Sequence, residues 1–186
     1  MTKYISILPI TLYLIYIVWR FYKKKGLPKS ISESYYWLIR KERWIFVFAL
    51  ISTSLLMAGT YIYNHEEIKL DSILLFFAAL GICYTASAAR FKKSTIINTW
   101  HLSGAIGGFA FGYAFIVARF GWDSLLFIVP SAVLCILVKY HYKYRLPKPR
   151  PFVNKETIKI WYKDNPDLTI WWAEIIGLVT IYLATL

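Results

Sequence analysis

Cysteine is nearly absent from this chain, with only Cys83 and Cys135 among 186 residues. Both lie inside apolar runs without metal-type spacing, which argues against a disulfide framework and reads them as small buried apolar residues. Histidine is almost as scarce, and no two of His65, His101 and His141 stand at i, i+3 or i, i+4. A zinc site drawn from His101, His141 and Glu174 is therefore disfavoured, and the sequence calls for neither a metal nor a cofactor. Nucleophile elbows, phosphate-binding glycine loops and paired aspartates are missing as well. Acids are few, ten against twenty-two lysines and arginines, for a net charge of +12. No segment between apolar runs is long enough for a core of its own, so residues 1–186 read as one domain.

Apolar sequence is what the chain has in excess. Six runs, Tyr4–Tyr22, Trp44–Tyr63, Ser72–Ala89, Ile96–Ala118, Asp123–Val138 and Leu168–Leu186, each approach the ~20 residues that cross a bilayer as a helix. The expected fold is an all-α integral membrane protein, a bundle of six transmembrane helices. Nineteen of the basic residues fall in three connections: Arg20 to Arg43, Arg90 to Lys93, and Lys139 to Lys163. The other side receives Lys3, Lys69 and Arg119 with the acids Glu66, Glu67, Asp71 and Asp123. The positive-inside rule makes the three basic connections cytoplasmic and puts both termini outside. The first run has only Lys3 before it and lysines after it, the reverse of a secretory signal, so it is expected to stay as an anchor. The charge then reflects topology and anionic headgroups, each basic residue near the surface contributing about 1 kcal/mol, and nucleic acid is not an expected partner. Trp19, Trp44, Trp100, Trp171 and Trp172 mark cytoplasmic ends and Trp122 an outer one, as indole rings do at headgroup level.

The cytoplasmic connections carry helix signals. Ser30-Ile31-Ser32-Glu33 fits a capping box, and Ile31, Tyr35, Leu38 and Ile39 form an apolar stripe. No Gly or Pro interrupts Ser30 to Ala58, so an interfacial helix is expected to run straight into the second span. The fifth connection opens on the extended, proline-rich Leu146 to Pro151, after which Asn154 caps a short helix bearing Ile158, Trp161 and Tyr162. Both amphipathic segments are expected on the inner leaflet.

Small residues recur every four positions as Gly104, Gly108 and Gly112 on the fourth span and Ala79, Cys83 and Ser87 on the third. Such spacing lets backbones approach, so these two faces are expected to pack on each other, with homo-oligomerisation as the alternative use of the glycine face. Ionisable residues inside spans are the natural place to look for function. His101 and Glu174 each lie about one helical turn from a cytoplasmic end, at a shared depth. The sharpest expectation is a polar pocket open to the cytoplasm, built on this pair with Arg90, Asn98, Ser103, Ser30, Ser32, Tyr35 and Tyr36. Its structural counterpart is a pair that only locks helix register.

The stretch Gly26 to Tyr36, with its Ser30-Ile31-Ser32 and Tyr35-Tyr36, then His101-Leu102-Ser103-Gly104-Ala105 and Trp171-Trp172-Ala173-Glu174, resembles small polytopic membrane proteins of gut-bacterial phages and mobile elements. The resemblance covers nearly the whole chain and implies membrane location and importance of those three motifs, with no reaction attached. A looser likeness is to the alkaline ceramidase and progestin-receptor-like superfamily. This chain departs from it in having six runs where that superfamily has seven spans, and in lacking paired histidines late in the sequence. The leading expectation is a non-catalytic protein that binds or modulates a membrane partner through basic, aromatic cytoplasmic segments. A small transporter or channel using the His101 and Glu174 level, and a lipid-modifying intramembrane enzyme, are the alternatives.

Overall fold

A computed structural model of the protein describes residues 2–25, 27–65, 67–88, 94–145 and 168–186. Its regular elements are all helical among the described residues: α1 (Leu8–Lys25, entered through a 3-10 turn at Thr2–Ile7), α2 (Ile31–Trp37), α3 (Arg43–Tyr63), α4 (Leu70–Ser87), α5 (Thr95–Phe120), α6 (Leu125–Arg145) and α7 (Thr169–Thr185). Three helical stretches, Arg43–Tyr63, Leu70–Ser87 and Thr95–Tyr142, are long and apolar enough to cross a membrane, which marks the chain as a membrane protein. The last stretch is too long to be one span, and it folds back where Gly121 takes a φ of +53°, a left-handed value that glycine adopts without a Cβ clash. A 3-10 turn over Gly121–Ser124 completes the reversal, and Phe120 stacks on Phe127 across it at 4.8 Å.

Neighbouring helices run antiparallel. Arg20 near the end of α1 reaches Glu42 just before α3 (3.8 Å), while the Ile10 amide, in the first turn of α1, donates to Thr53 Oγ1 at 3.0 Å. Tyr113 and Ser131 bond at 2.6 Å between α5 and α6. One end of the bundle therefore collects the termini that carry Arg20, Lys41, Arg43 and Lys139, and is called the basic end below. The core forms two apolar clusters. One, toward the basic end, joins Tyr13, Ile17, Phe21, Ile31, Tyr35, Leu38, Phe46 and Trp171; the other joins Met57, Leu75, Phe115, Ile116, Ile181 and neighbours.

Two sequence expectations are corrected by the geometry. Ser30 to Ala58 is not one helix: α2 ends at Trp37, Leu38 is extended at ψ 142°, and a turn follows in which the Glu42 amide donates to Ile39 O at 2.8 Å. No Gly or Pro breaks the helix here. Ile31, Tyr35 and Leu38 are all buried in the core, and at the break the Arg43 Nε–H satisfies the Leu38 carbonyl at 3.3 Å. Nor does α2 lie on the surface as an interfacial helix: Ile31, Ser32, Ser34 and Tyr35 are buried among α1, α3 and α7. The second amphipathic segment, from Leu146 through Asn154 to Tyr162, lies outside the described residues.

The α4–α5 contact is the closest in the bundle, but its faces differ from the expected ones. α5 does present Gly104 and Gly108, whereas α4 answers with Ala78, Gly81, Ile82 and Thr85. A Cβ on Gly81 would stand 2.5 Å from the Gly108 nitrogen and 2.7 Å from its Cα. Ala79 turns instead into the cluster with Met57 and Tyr61, while Cys83 and Ser87 rim an open groove beside Gly107 and Phe111. Gly112 faces Ile181 of α7, not α4. The residue without a side chain allows the nearest approach, so Gly81 sets the register over the Ala79, Cys83 and Ser87 row. Gly81→Ala is expected to destabilise the protein by about 1–3 kcal/mol, since the added methyl meets backbone. Gly107→Ala has open space around it and should be neutral or gain about 0.5–1 kcal/mol of helix preference. Thermal unfolding of both variants in detergent checks the contrast.

Candidate functional site

His101 sits in the second turn of α5, whose start is fixed by Ser94 accepting from the Ile97 amide at 3.1 Å. The ring is buried and its Nδ1 lies 2.9 Å from the Thr85 carbonyl oxygen on α4. A carbonyl can only accept, so Nδ1 carries the proton in this bond. Thr85 is within the last turn of α4, where carbonyls have no partner within their own helix. His101 therefore closes the end of a neighbouring helix. Thr85 Oγ1 in turn donates to Gly81 O at 2.9 Å, next to the tightest glycine contact.

Glu174 does the complementary task. It lies in the second turn of α7 and accepts from the Ile31 amide at 2.5 Å. Ile31 is the first residue of α2, so its N–H is one of the donors that a helix start leaves unpaired. Ser30 accepts from the Glu33 amide at 3.0 Å, and the Glu33 carboxylate takes the Lys29 amide at 3.1 Å, one residue upstream of the usual capping-box partner. Ser34 bonds both to the Tyr13 hydroxyl and to the Ile31 carbonyl. The amide and carbonyl of Ile31 are thus both held by side chains, one of them from the far end of the sequence.

The expected pocket is only partly assembled by this arrangement. Ser30, Ser32, Tyr35 and Tyr36 come in on α2, with Tyr35 and Tyr36 edge-on at 5.3 Å. The hydrogen bond of His101 runs to α4 and that of Glu174 to α2, so these two bonds do not join the residues to each other. Asn98 and Ser103 are exposed on the outer side of α5, and His141 is exposed on α6 against Tyr142. Arg90 lies outside the described residues. Beside Glu174, between α5 and α7, is an open cleft of about 260 Å³ walled by Phe109, Tyr113, Ile170, Ala173 and Gly177. The described residues hold no group of three or more His, Cys, Asp or Glu side chains placed for a metal ion.

A second polar cluster, at the opposite end, escaped the sequence reading. The Tyr61 hydroxyl donates to Asp71 at 2.5 Å, the Arg119 guanidinium lies over the Tyr61 ring at 4.8 Å, and the His65 ring stacks on it at 4.1 Å. This cluster ties together the ends of α3, α4 and α5. Its members are dispersed along the chain and read individually as boundary charges and an apolar-run tyrosine, so only the fold reveals the set.

In comparisons with known proteins, no family model, no curated protein and no solved structure matches the chain.

The capping roles separate two substitutions at one position. Glu174→Gln keeps an oxygen for the Ile31 amide and should unfold within about 1 kcal/mol of the parent. Glu174→Ala leaves that amide unpaired and is expected to lose about 1–3 kcal/mol. His101→Ala strips the Thr85 carbonyl in the same way and should lose a similar amount. Denaturation midpoints in one detergent compare all three, and an Ala variant as stable as the parent at either site would remove its capping role.

Proposed function

We propose that the chain is a six-pass protein of a bacterial cytoplasmic membrane, with both termini outside, and that it works without catalysis. Its basic, aromatic cytoplasmic segments rest on anionic headgroups and engage a membrane-protein partner there. The observation that carries this reading is the outward ring at the basic end. Trp19, Trp44, Trp100 and Trp172 come from four different helices, yet all reach the surface at 76, 63, 54 and 39 % exposure. Indoles gathered at one level suit a headgroup interface, and the positive charge beside them suits a cytoplasmic one. The shorter apolar helices Ile5–Phe21 and Thr169–Thr185 pack within the same bundle as the three long stretches, which favours counting them as passes. A kinship with small membrane proteins of gut-bacterial phages and mobile elements belongs to the same proposal.

Interior polar groups support a binding role over a catalytic one, because His101, Tyr13, Ser34, Tyr113 and Ser131 are engaged in joining helices. The second reading, a small carrier, is favoured by the open cleft at Glu174.

Topology is testable with single cysteines in a background where Cys83 and Cys135 are replaced. On intact cells a membrane-impermeant maleimide should label Lys69→Cys and Asp123→Cys, and should reach Lys41→Cys and Lys139→Cys only after permeabilisation. The reversed pattern would overturn the orientation. For the partner, photo-crosslinkers at Trp44 and Trp172 should give one discrete membrane-protein adduct in cells. Neutralising Arg40, Lys41 and Lys139 should weaken it, and an equal adduct from Trp122 at the other end would count against the reading.

A further inference from the structure

We propose that the cleft between α5 and α7 binds an aminophospholipid, with Glu174 accepting hydrogen bonds from its primary ammonium and Phe109, Tyr113 and Gly177 walling its acyl chain. The inference rests on the membrane placement above and goes beyond it, since the partner surface at the basic end has no part in this site.

Glu174 is a carboxylate within an apolar helix, and the Ile31 amide is its hydrogen-bond partner among the described residues. An ionised carboxylate offers about four acceptor positions, so one backbone donor leaves most of its capacity unused. The cleft beside it, about 260 Å³, is lined by Phe109, Tyr113, Thr169, Ile170, Ala173 and Gly177, none of them a cation. A charge in such surroundings needs a counter-charge or solvent. The walls are apolar, so the fitting ligand is an apolar body carrying one cationic donor. Two features narrow it further. A carboxylate's strongest bonds are to N–H groups of a cation, which a primary ammonium has and a quaternary one lacks. The aromatic wall also accepts positive charge on its ring faces.

The source is the bilayer itself. The cleft is open, Ile170 on its rim is 60 % exposed, and Glu174 lies about one helical turn from the start of α7. In a spanning helix that depth adjoins the headgroups, where an ethanolamine reaches the carboxylate while its chain follows Phe109 and Tyr113 toward the bilayer centre. A lipid with a net negative headgroup would meet the carboxylate with like charge.

The test is lipid binding to the purified full chain in detergent micelles, read by native mass spectrometry. Phosphatidylethanolamine, phosphatidylcholine and phosphatidylglycerol of identical chains are titrated in turn. The parent should bind phosphatidylethanolamine about tenfold more tightly than phosphatidylcholine, the size of one charge-assisted hydrogen bond. Glu174→Gln should lose that preference while keeping the Ile31 bond. Ala173→Phe leaves the carboxylate in place and fills the cleft, so it should reduce retained phosphatidylethanolamine at an unchanged melting temperature. It carries the test if Glu174→Gln unfolds early. Equal binding of the two zwitterionic lipids by the parent, or undiminished binding by Ala173→Phe, overturns the proposal. Micelles have no sides, so lipid binding reads the site and cysteine labelling reads the orientation, and either can fail alone.

Discussion

Unpaired backbone at helix ends is the constraint on which this structure turns. In water a frayed end is hydrated, but inside a bilayer each exposed N–H or C=O must find a protein partner. The chain meets that demand with side chains from other helices: His101 on the Thr85 carbonyl, Glu174 on the Ile31 amide, Thr53 on the Ile10 amide. These bonds explain why ionisable residues occur at those depths at all. They also explain the placement of α2, a seven-residue helix too short to be stable alone. It persists because Glu174, Ser30 and Ser34 satisfy its first turn, Arg43 takes the Leu38 carbonyl just past its last, and the apolar cluster around Phe46 and Trp171 holds its face.

A second constraint acts between helices. Lipid tails match apolar side chains in chemistry, so helices associate through close fit and polar pairing. Gly81, Gly104 and Gly108 give α4 and α5 their near-backbone contact, and the Tyr61–Asp71–Arg119 cluster ties these helices to α3 at the opposite end. With those three fixed, α7 meets α5 at Gly112 and Gly177, where glycine admits Ile181 and Phe109. Between Phe109 and Tyr113 of α5 and the stretch of α7 that runs from Thr169 to Gly177 the two helices do not fill the space, and the cleft at Glu174 is that gap.

Hydropathy made the helices legible, because long apolar runs depend on local composition. Each of α1 and α3 to α7 covers most of one run, and Ser30 caps α2 as its local sequence suggests. What remained hidden depends on contacts far apart in sequence. The break at Leu38 has no local signal, and the residues around it pack on the distant Tyr13, Phe46 and Trp171. The face that α4 offers to α5 was misread because Ala79, Cys83 and Ser87 form a tidy small-residue row, while a single glycine, Gly81, decides the nearest approach. Depth could be read for His101 and Glu174, but depth fixes only one coordinate. Rotation about each helix axis, which sends one toward α4 and the other toward α2, comes from packing.

That rotation gives the two residues unequal standing. A histidine donating through Nδ1 to a carbonyl can make that bond as a neutral ring, with no net charge to balance. A carboxylate holding one amide keeps spare acceptor positions, beside an open cleft and at the start of α2. Any change in its charge acts first on the Ile31 amide. From there the route to the basic end is short: Tyr35, one turn along α2, carries the Arg43 guanidinium at 5.1 Å over its ring, and Glu42 next to it pairs with Arg20. The same seven-residue helix therefore has the half-buried Glu174 carboxylate at its start and the basic surface at its end, which places Glu174 to affect what that surface presents.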